Sequence, residues 1–186
     1  MNAGACVWRH PRPEGAAGRC IGRTDLPVDP RKARRLAHRI RRLARREGRE
    51  HEVWTSPLRR AADVGRWLRR WGWRHHIDPR LAELDFGAWD GCAWAAIDVA
   101  AIDEWCADFA SSAAGGGESV AALMARCADF LAAHPDALVV AHGGWINAAD
   151  RVVRGQGLPA TAADWPAAHV YAALWRASSS RGAESQ

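Results

Sequence analysis

The sequence predicts an α/β protein, a three-layer sandwich with a mainly parallel central sheet and helices on both faces. Three observations predict it. Short, nearly continuous apolar runs, Ala5-Cys6-Val7-Trp8 and Ala137-Leu138-Val139-Val140-Ala141 above all, read as strands buried on both sides. Longer segments carry apolar residues at three- and four-residue steps, the period of a helix with one inner face. The two patterns alternate along the chain, as they do where helices cross over between parallel strands.

Taken in order, the first strand ends abruptly at Arg9-His10-Pro11. The stretch from 11 to 30 holds four prolines (Pro11, Pro13, Pro27, Pro30) and three glycines (Gly15, Gly18, Gly22), so it reads as a long loop. Loops of that length inside a compact domain are commonly functional. Pro30 opens a helix, because its missing N–H costs nothing in the first turn. Ala33, Leu36, Ala37, Ile40, Leu43 and Ala44 form its inner stripe, and its other face is almost entirely arginine. Val53-Trp54 is a second short strand. A helix follows from about Leu58 to Trp71, with Ala61, Val64, Trp67 and Leu68 facing in. His75 to Asp78 suits an edge strand, and Leu81 to Gly91 a loop. Trp94 to Phe109 is expected to be helical and 111–117 flexible. Glu118 begins a helix reaching about Ala133, with Val120, Leu123, Met124, Cys127, Phe130 and Leu131 inward. The strand at 137–141 ends at His142-Gly143-Gly144, a helix follows from about Trp145, and Val170 to Trp175 is a last strand.

The chain has 186 residues, which suits one domain over 1–176 with a frayed tail at 177–186. Hydrophobic residues make up 48% and charged residues 25%, enough apolar material for a core, so a chain disordered throughout is excluded. No run approaches a membrane-spanning length, and no leader pattern opens the chain, so a cytoplasmic protein without a membrane association is expected. Five scattered cysteines without a C-x-x-C pair argue for reduced thiols rather than disulfides or zinc. The net charge is +5, with Lys32 the one lysine among 26 basic residues. That balance favours an anionic partner. The regular apolar stripe of the basic helix makes its arginine face a solvated surface rather than a nucleic-acid site. His75 and His76 are adjacent in a strand and point to opposite faces, so they do not form a metal pair; a surface position is expected for them. No metal site and no cofactor are expected.

Two histidines, His10 and His142, stand just past the C-terminal ends of apolar strands, the edge at which open α/β sheets bind ligands. Arg9 precedes one of them, and Arg60 begins a helix after Thr55-Ser56-Pro57-Leu58. Guanidinium groups present planar forks of donors that suit phosphate oxygens. An imidazole keeps a free lone pair near neutral pH and is a competent nucleophile.

Arg9-His10, Thr55-Ser56-Pro57-Leu58-Arg59-Arg60-Ala61, Leu81-Ala82-Glu83 with Phe86-Gly87-Ala88-Trp89-Asp90-Gly91, Gly117-Glu118-Ser119 and Ala141-His142-Gly143-Gly144 occur in the order of one family. The chain resembles the histidine phosphatase superfamily, in its phosphoglycerate mutase-like branch. The resemblance implies that His10 becomes phosphohistidine, that Arg9, Arg60 and His142, with Gly143, hold the phosphate, and that Glu83 protonates the leaving group. Asp85 and Asp90 are the alternative acids in the same loop. Pro11 replaces the glycine of the family's Arg-His-Gly motif, which removes one backbone N–H from the site. The Gly22 to Pro27 stretch resembles that of α-ribazole phosphatases. Gly22 is expected to let the backbone approach the substrate, and Trp89 to wall the pocket. The implied partner is a small phosphorylated metabolite, with α-ribazole 5′-phosphate of cobalamin biosynthesis foremost, and a homodimer is possible on this reading. The alternatives are another metabolite phosphatase, a phosphohistidine phosphatase or a mutase of the same family, or a non-catalytic anion-binding protein on the same fold.

Overall fold

The computed structural model describes residues 4–177. All but the first residue of the expected tail lie outside the described residues. Five strands, β1 (Cys6–Arg9), β2 (Glu52–Thr55), β3 (Arg74–Ile77), β4 (Leu138–Ala141) and β5 (Leu174–Arg176), form one sheet in the order β3-β2-β4-β1-β5. All neighbours pair in parallel except β1 and β5, which are antiparallel. The helices are α1 (Pro30–Glu47), α2 (Arg59–Arg70), α3 (Val99–Ala107), α4 (Val120–Ala133) and α5 (Gly143–Val153).

Alternation along the strands builds two cores. Cys6, Trp8, Val53, Leu138 and Val140 pack with the inner faces of α1 and α2. Val7, Val139 and Ala141 pack on the other side with Leu123, Cys127, Phe130, Trp145 and Ile146 of α4 and α5. The three expected layers are therefore present. The arginine helix is as the pattern predicts, with all six stripe residues buried. Asp29 caps it by accepting from the Arg31 N–H at 2.8 Å, and Gly48 closes it with φ 61°, a conformation glycine adopts without strain. Ser119 caps α4 through Ala122, the helix-terminal role its position suggests.

Two elements differ from the sequence pattern. The segment from 94 to 109 is not one helix: Trp94–Ala96 forms a single 3-10 turn, and α3 starts afresh after Asp98, whose side chain accepts from Ala100 N–H. Trp94 N–H donates to Gly18 carbonyl, and Ala93 pairs with Arg19, so this turn is pinned to the long loop. The last strand begins only at Leu174. Before it the chain bends across the end of β1, with Ala172 N–H donating to Arg9 carbonyl at 3.1 Å. Short 3-10 turns form at Pro79–Leu81, leading into the loop at 81–91, and at Gly87–Trp89 within it. His75 and His76 do take opposite faces, yet neither is a free surface group. His75 Nε2 lies 2.7 Å from the Thr55 hydroxyl, and His76 stacks on Trp54. Among the described residues no helix is long and apolar enough to cross a membrane.

Candidate active site

β1 and β4 are adjacent and in register, with Arg9 opposite Ala141. Both strands therefore end at one level and deliver His10 and His142 side by side, their ring centroids 4.9 Å apart. His10 N–H donates to Ala141 carbonyl at 3.0 Å, the last bond before the two chains part. The His10 ring is buried, and its Nδ1 lies 2.7 Å from Pro11 carbonyl. A carbonyl only accepts, so Nδ1 carries the proton and Nε2 keeps its lone pair. Pro11 thus supplies the one group the imidazole needs from that residue, and the missing N–H is irrelevant to it. Burial, then the nearby Arg60 guanidinium, hold the His10 pKa well below the usual value; the Pro11 contact opposes this, and Arg9 adds to it. His10 is a neutral base at pH 7.

Arg60 lies in the first turn of α2 and is 1% exposed. It donates to Gly22 and Thr24 carbonyls, the latter at 2.6 Å, and from Nε to His142 Nδ1 at 3.3 Å. Guanidinium has no acceptor, so His142 Nδ1 is the acceptor and its proton sits on Nε2. That Nε2–H is buried without a protein partner. Burial and then Arg60 and His10 lower the His142 pKa well below the usual value. Arg9 lies over the Tyr171 ring, 3.8 Å from its centroid, donates to His169 carbonyl, and leaves its buried Nε unpartnered. Two cations and an imidazole N–H thus surround the His10 ring, an arrangement that suits an oxyanion.

Glu83 reaches the N-terminal end of α5. Its carboxylate accepts from Gly144 N–H at 3.0 Å, Trp145 N–H at 3.1 Å and Leu84 N–H at 3.0 Å. A Cβ at Gly144 would stand 2.6 Å from Glu83 Oε1, and one at Gly143 would stand 2.7 Å from Ala168 Cβ, so the His-Gly-Gly sequence is what lets the carboxylate and the 168 segment close on the helix. The main chain before Glu83 is held by Arg126. This side chain donates to Arg80, Ala82 and Glu83 carbonyls at 2.7, 2.6 and 3.1 Å. Arg126 in turn pairs with Glu118 at 2.7 Å.

These groups open on a cavity of about 390 Å³ lined by Arg9, His10, Arg60, Glu83 and Gly144 on its polar side, and by Trp94, Trp105, Phe109 and Trp165 among its apolar residues. His10, Arg9, Arg60, His142, Gly143 and Glu83, all singled out from the sequence, are brought together. Two expectations fail. Gly22 is not where the substrate approaches: it is buried against the 84–90 loop, where a Cβ would overlap Leu84 carbonyl and come within 2.8 Å of Phe86 Cδ2. Its neighbour Ile21 lines the cavity instead. Trp89 does not wall the cavity. Its ring packs edge-on to Trp105 at 5.8 Å, one layer behind the lining. Asp90 is committed to structure as well. It accepts from Gly22 and Thr24 N–H at 3.2 and 3.0 Å and from Arg23 N–H. Burial pushes its carboxyl up, but these bonds and that of the Thr24 hydroxyl outweigh it and leave it below the ordinary range. Asp85 caps the turn at Gly87 N–H, 2.9 Å away. Arg126, Glu118, Tyr171, Trp105, Trp165 and Asn147 were not assigned to the site from the sequence. For Arg126 the signal is an arginine beside the apolar stripe of α4, next to Cys127, and for Glu118 it is the Gly117-Glu118-Ser119 motif.

The fold and this pocket define a phosphate-handling α/β class. The model of the histidine phosphatase superfamily (branch 1) matches residues 5–177, and the chain belongs to that family. No curated protein sequence matches it. Among solved structures it is similar to mycobacterial glucosyl-3-phosphoglycerate phosphatase in complex with VO3, at 25% identity over 91% of this chain and 88% of that one, TM-score 0.74. It is similar to a protein from Thermus thermophilus at 29% identity, over 83% and 86% of the two chains, TM-score 0.63. It shares its fold with the α-ribazole phosphatase of Shigella flexneri, at 23% identity over 91% and 87%, TM-score 0.71.

The two site histidines make stability depend on pH. Each has a folded-state pKa below its unfolded value of about 6.5, so protons bind the unfolded chain first. His75, lowered to about 4, acts in the same sense. Their contribution is complete above that unfolded value and is lost as pH falls below it, at up to about 1.4 kcal/mol per pH unit for each histidine. Urea unfolding at pH 7 and pH 5 should show a clear loss at pH 5, and His142→Gln should flatten the difference. A stability unchanged between the two pH values would refute the neutral assignment.

Proposed function

We propose that the protein is a phosphomonoesterase that works through a phosphohistidine on His10. The observation that carries this reading is the tautomer fixed by Pro11 carbonyl, which leaves His10 Nε2 unprotonated between two guanidinium groups. Nε2 attacks phosphorus as the ester P–O bond breaks. Arg9, Arg60 and the free Nε2–H of His142 take the charge on the non-bridging oxygens. Glu83 delivers a proton to the departing alcohol oxygen. A water then attacks the phosphohistidine, Glu83 takes the water proton, and inorganic phosphate leaves with the imidazole restored.

The cationic charge comes from side chains, so turnover is proposed to need no metal ion. The chain is read as hydrolytic rather than mutase-like, a cytoplasmic enzyme whose leading substrate is α-ribazole 5′-phosphate. The support is the resemblance of the stretch from Gly22 to Pro27 to that of α-ribazole phosphatases, together with the fold shared with one of them. A sugar phosphate is the second reading, favoured by the likeness to the mycobacterial glucosyl-3-phosphoglycerate phosphatase.

His10→Ala should abolish hydrolysis of an aryl phosphate and labelling of the protein by radioactive phosphate, with the circular-dichroism spectrum retained; near-normal turnover would refute the mechanism. Chelator should leave the wild-type rate unchanged, and a loss restored by a divalent ion would overturn metal independence. Glu83→Gln should cost ~10²–10⁴-fold on an alkyl phosphate, whose alkoxide needs a proton. The burst of phosphohistidine formation from an aryl ester with an acidic phenol should suffer far less. Equal losses in the two bursts would remove Glu83 from the acid role.

A further inference from the structure

Arg9 is a pocket cation that no carboxylate holds. Among the described residues its guanidinium donates to His169 carbonyl and lies over the Tyr171 ring, 3.8 Å from the centroid, and it makes no ion pair. A carboxylate would fix Arg9 equally well, but it would cancel the charge and repel an incoming oxyanion. An aromatic face attracts a cation through its quadrupole and carries no net charge. Stacking also covers only the flat face of the guanidinium. Its N–H donors point outward in the plane, and the buried Nε is unpartnered there. A Cβ at Gly143 would stand 3.3 Å from Arg9 Cζ and Nε, so the start of α5 leaves the group little room to turn.

The turn that carries Tyr171 is strained. Ala173 N–H donates to Val170 carbonyl at 3.1 Å, which places Tyr171 and Ala172 at the corner. Ala172 has φ 58°, the one positive value on a non-glycine among the described residues. The third place of such a turn ordinarily asks for glycine when φ is positive, because a Cβ there crowds the backbone. Hydrophobic burial does not account for the strain, since Val170 is left 77% exposed. Its hydrogen bonds do. Ala172 N–H donates to Arg9 carbonyl at 3.1 Å and to His10 carbonyl at 3.3 Å, and Arg9 N–H donates to Ala173 carbonyl at 3.1 Å. Strain of this kind persists where the surroundings fix it, commonly at functional sites. The turn is tied to the main chain of Arg9 and His10, and it lays one ring against both side chains: the Tyr171 centroid is also 5.6 Å from that of His10.

We infer that Tyr171 is a positioning residue for Arg9: its ring holds the guanidinium flat and uncompensated, with a donor edge turned to the phosphate. The inference rests on the phosphomonoesterase reading for what Arg9 does in turnover, and not for the binding of the anion.

The test is titration of the full chain with inorganic phosphate, followed by phosphorus NMR so that weak binding is read as well as strong. A cation–π contact withdrawn from bulk water is worth roughly tenfold in affinity, so Tyr171→Leu should weaken phosphate binding by about that factor. Tyr171→Phe, which keeps the ring, should weaken it far less. Tyr171 belongs to neither core, so both variants should fold. The loss should run through Arg9: in an Arg9→Ala background, Tyr171→Leu should cost less than about twofold. Equal losses in the two backgrounds would overturn the inference, because Tyr171 would then act on its own or through the fold at large. A Tyr171→Phe variant as weak as Tyr171→Leu, or no saturable phosphate binding by the wild-type protein, would overturn it too. If phosphate binding follows the expected pattern while no ester is hydrolysed, the inference stands and the phosphatase reading fails. If an aryl phosphate is hydrolysed through His10 and Tyr171→Leu changes neither phosphate affinity nor kcat/KM, the inference fails and the phosphatase reading stands.

Discussion

The buried guanidinium of Arg60 is the constraint on which the rest of the site depends. A permanent cation at 1% exposure must have its donors satisfied or the fold would not tolerate it. Gly22 and Thr24 carbonyls and His142 Nδ1 satisfy them. Each of those bonds has a consequence. The two carbonyls tie the proline- and glycine-rich loop to α2 and so shape one side of the cavity. The bond to His142 fixes its tautomer and aims an N–H donor outward. Burial first, and then this same charge, hold the pKa of both site histidines well below the usual value. Burial lowers the Arg60 pKa, while Glu83, Asp25 and Asp90 favour its charge from a distance.

A second dependence runs through the start of α5. Helix N-termini present unpaired N–H groups and partial positive charge. In this chain Glu83 occupies two of those donors, so the group proposed to move a proton is fixed by main-chain atoms. The closeness requires glycine at 144, and it requires the 80–83 segment to hold its course. Arg126 enforces that course by collecting three carbonyl groups, and Glu118 neutralises it. The motif Gly117-Glu118-Ser119 thus joins a charge partner for the clamp to the cap of α4. Asp90 has a parallel role for the opposite loop, where its two oxygens collect the N–H groups of residues 22–24.

Much of this was legible from residue order. The strands at 5–8 and 137–141 are apolar on both faces because both are covered by helices, and such runs are unambiguous. His10 and His142 follow them directly, so their position at one sheet edge needed only the parallel pairing. The segments that misled are those whose apolar residues serve the cavity instead of the core. Trp94 and Trp105 mimic one amphipathic helix, yet they face a pocket and are separated by a turn that Asp98 restarts. Trp89 is near Glu83 in sequence and one layer away in space. Gly22 is a site of close approach, but the approaching group is the neighbouring loop.

By itself the sequence determined the sandwich, the sheet edge that carries the chemistry, and the residue types able to handle a phosphate. Those follow from periodicity and from motif order, which are local properties of the chain. Only the tertiary structure decided which nitrogen of each imidazole carries the proton, where Glu83 rests, and that Trp94, Trp105, Trp165 and Asn147 line the same cavity as His10. Those outcomes depend on partners far apart in sequence, such as Arg60 with His142 and Arg126 with Glu83. A hydrogen bond or a shared cavity between such residues exists only once the crossovers have closed, and no local pattern encodes it.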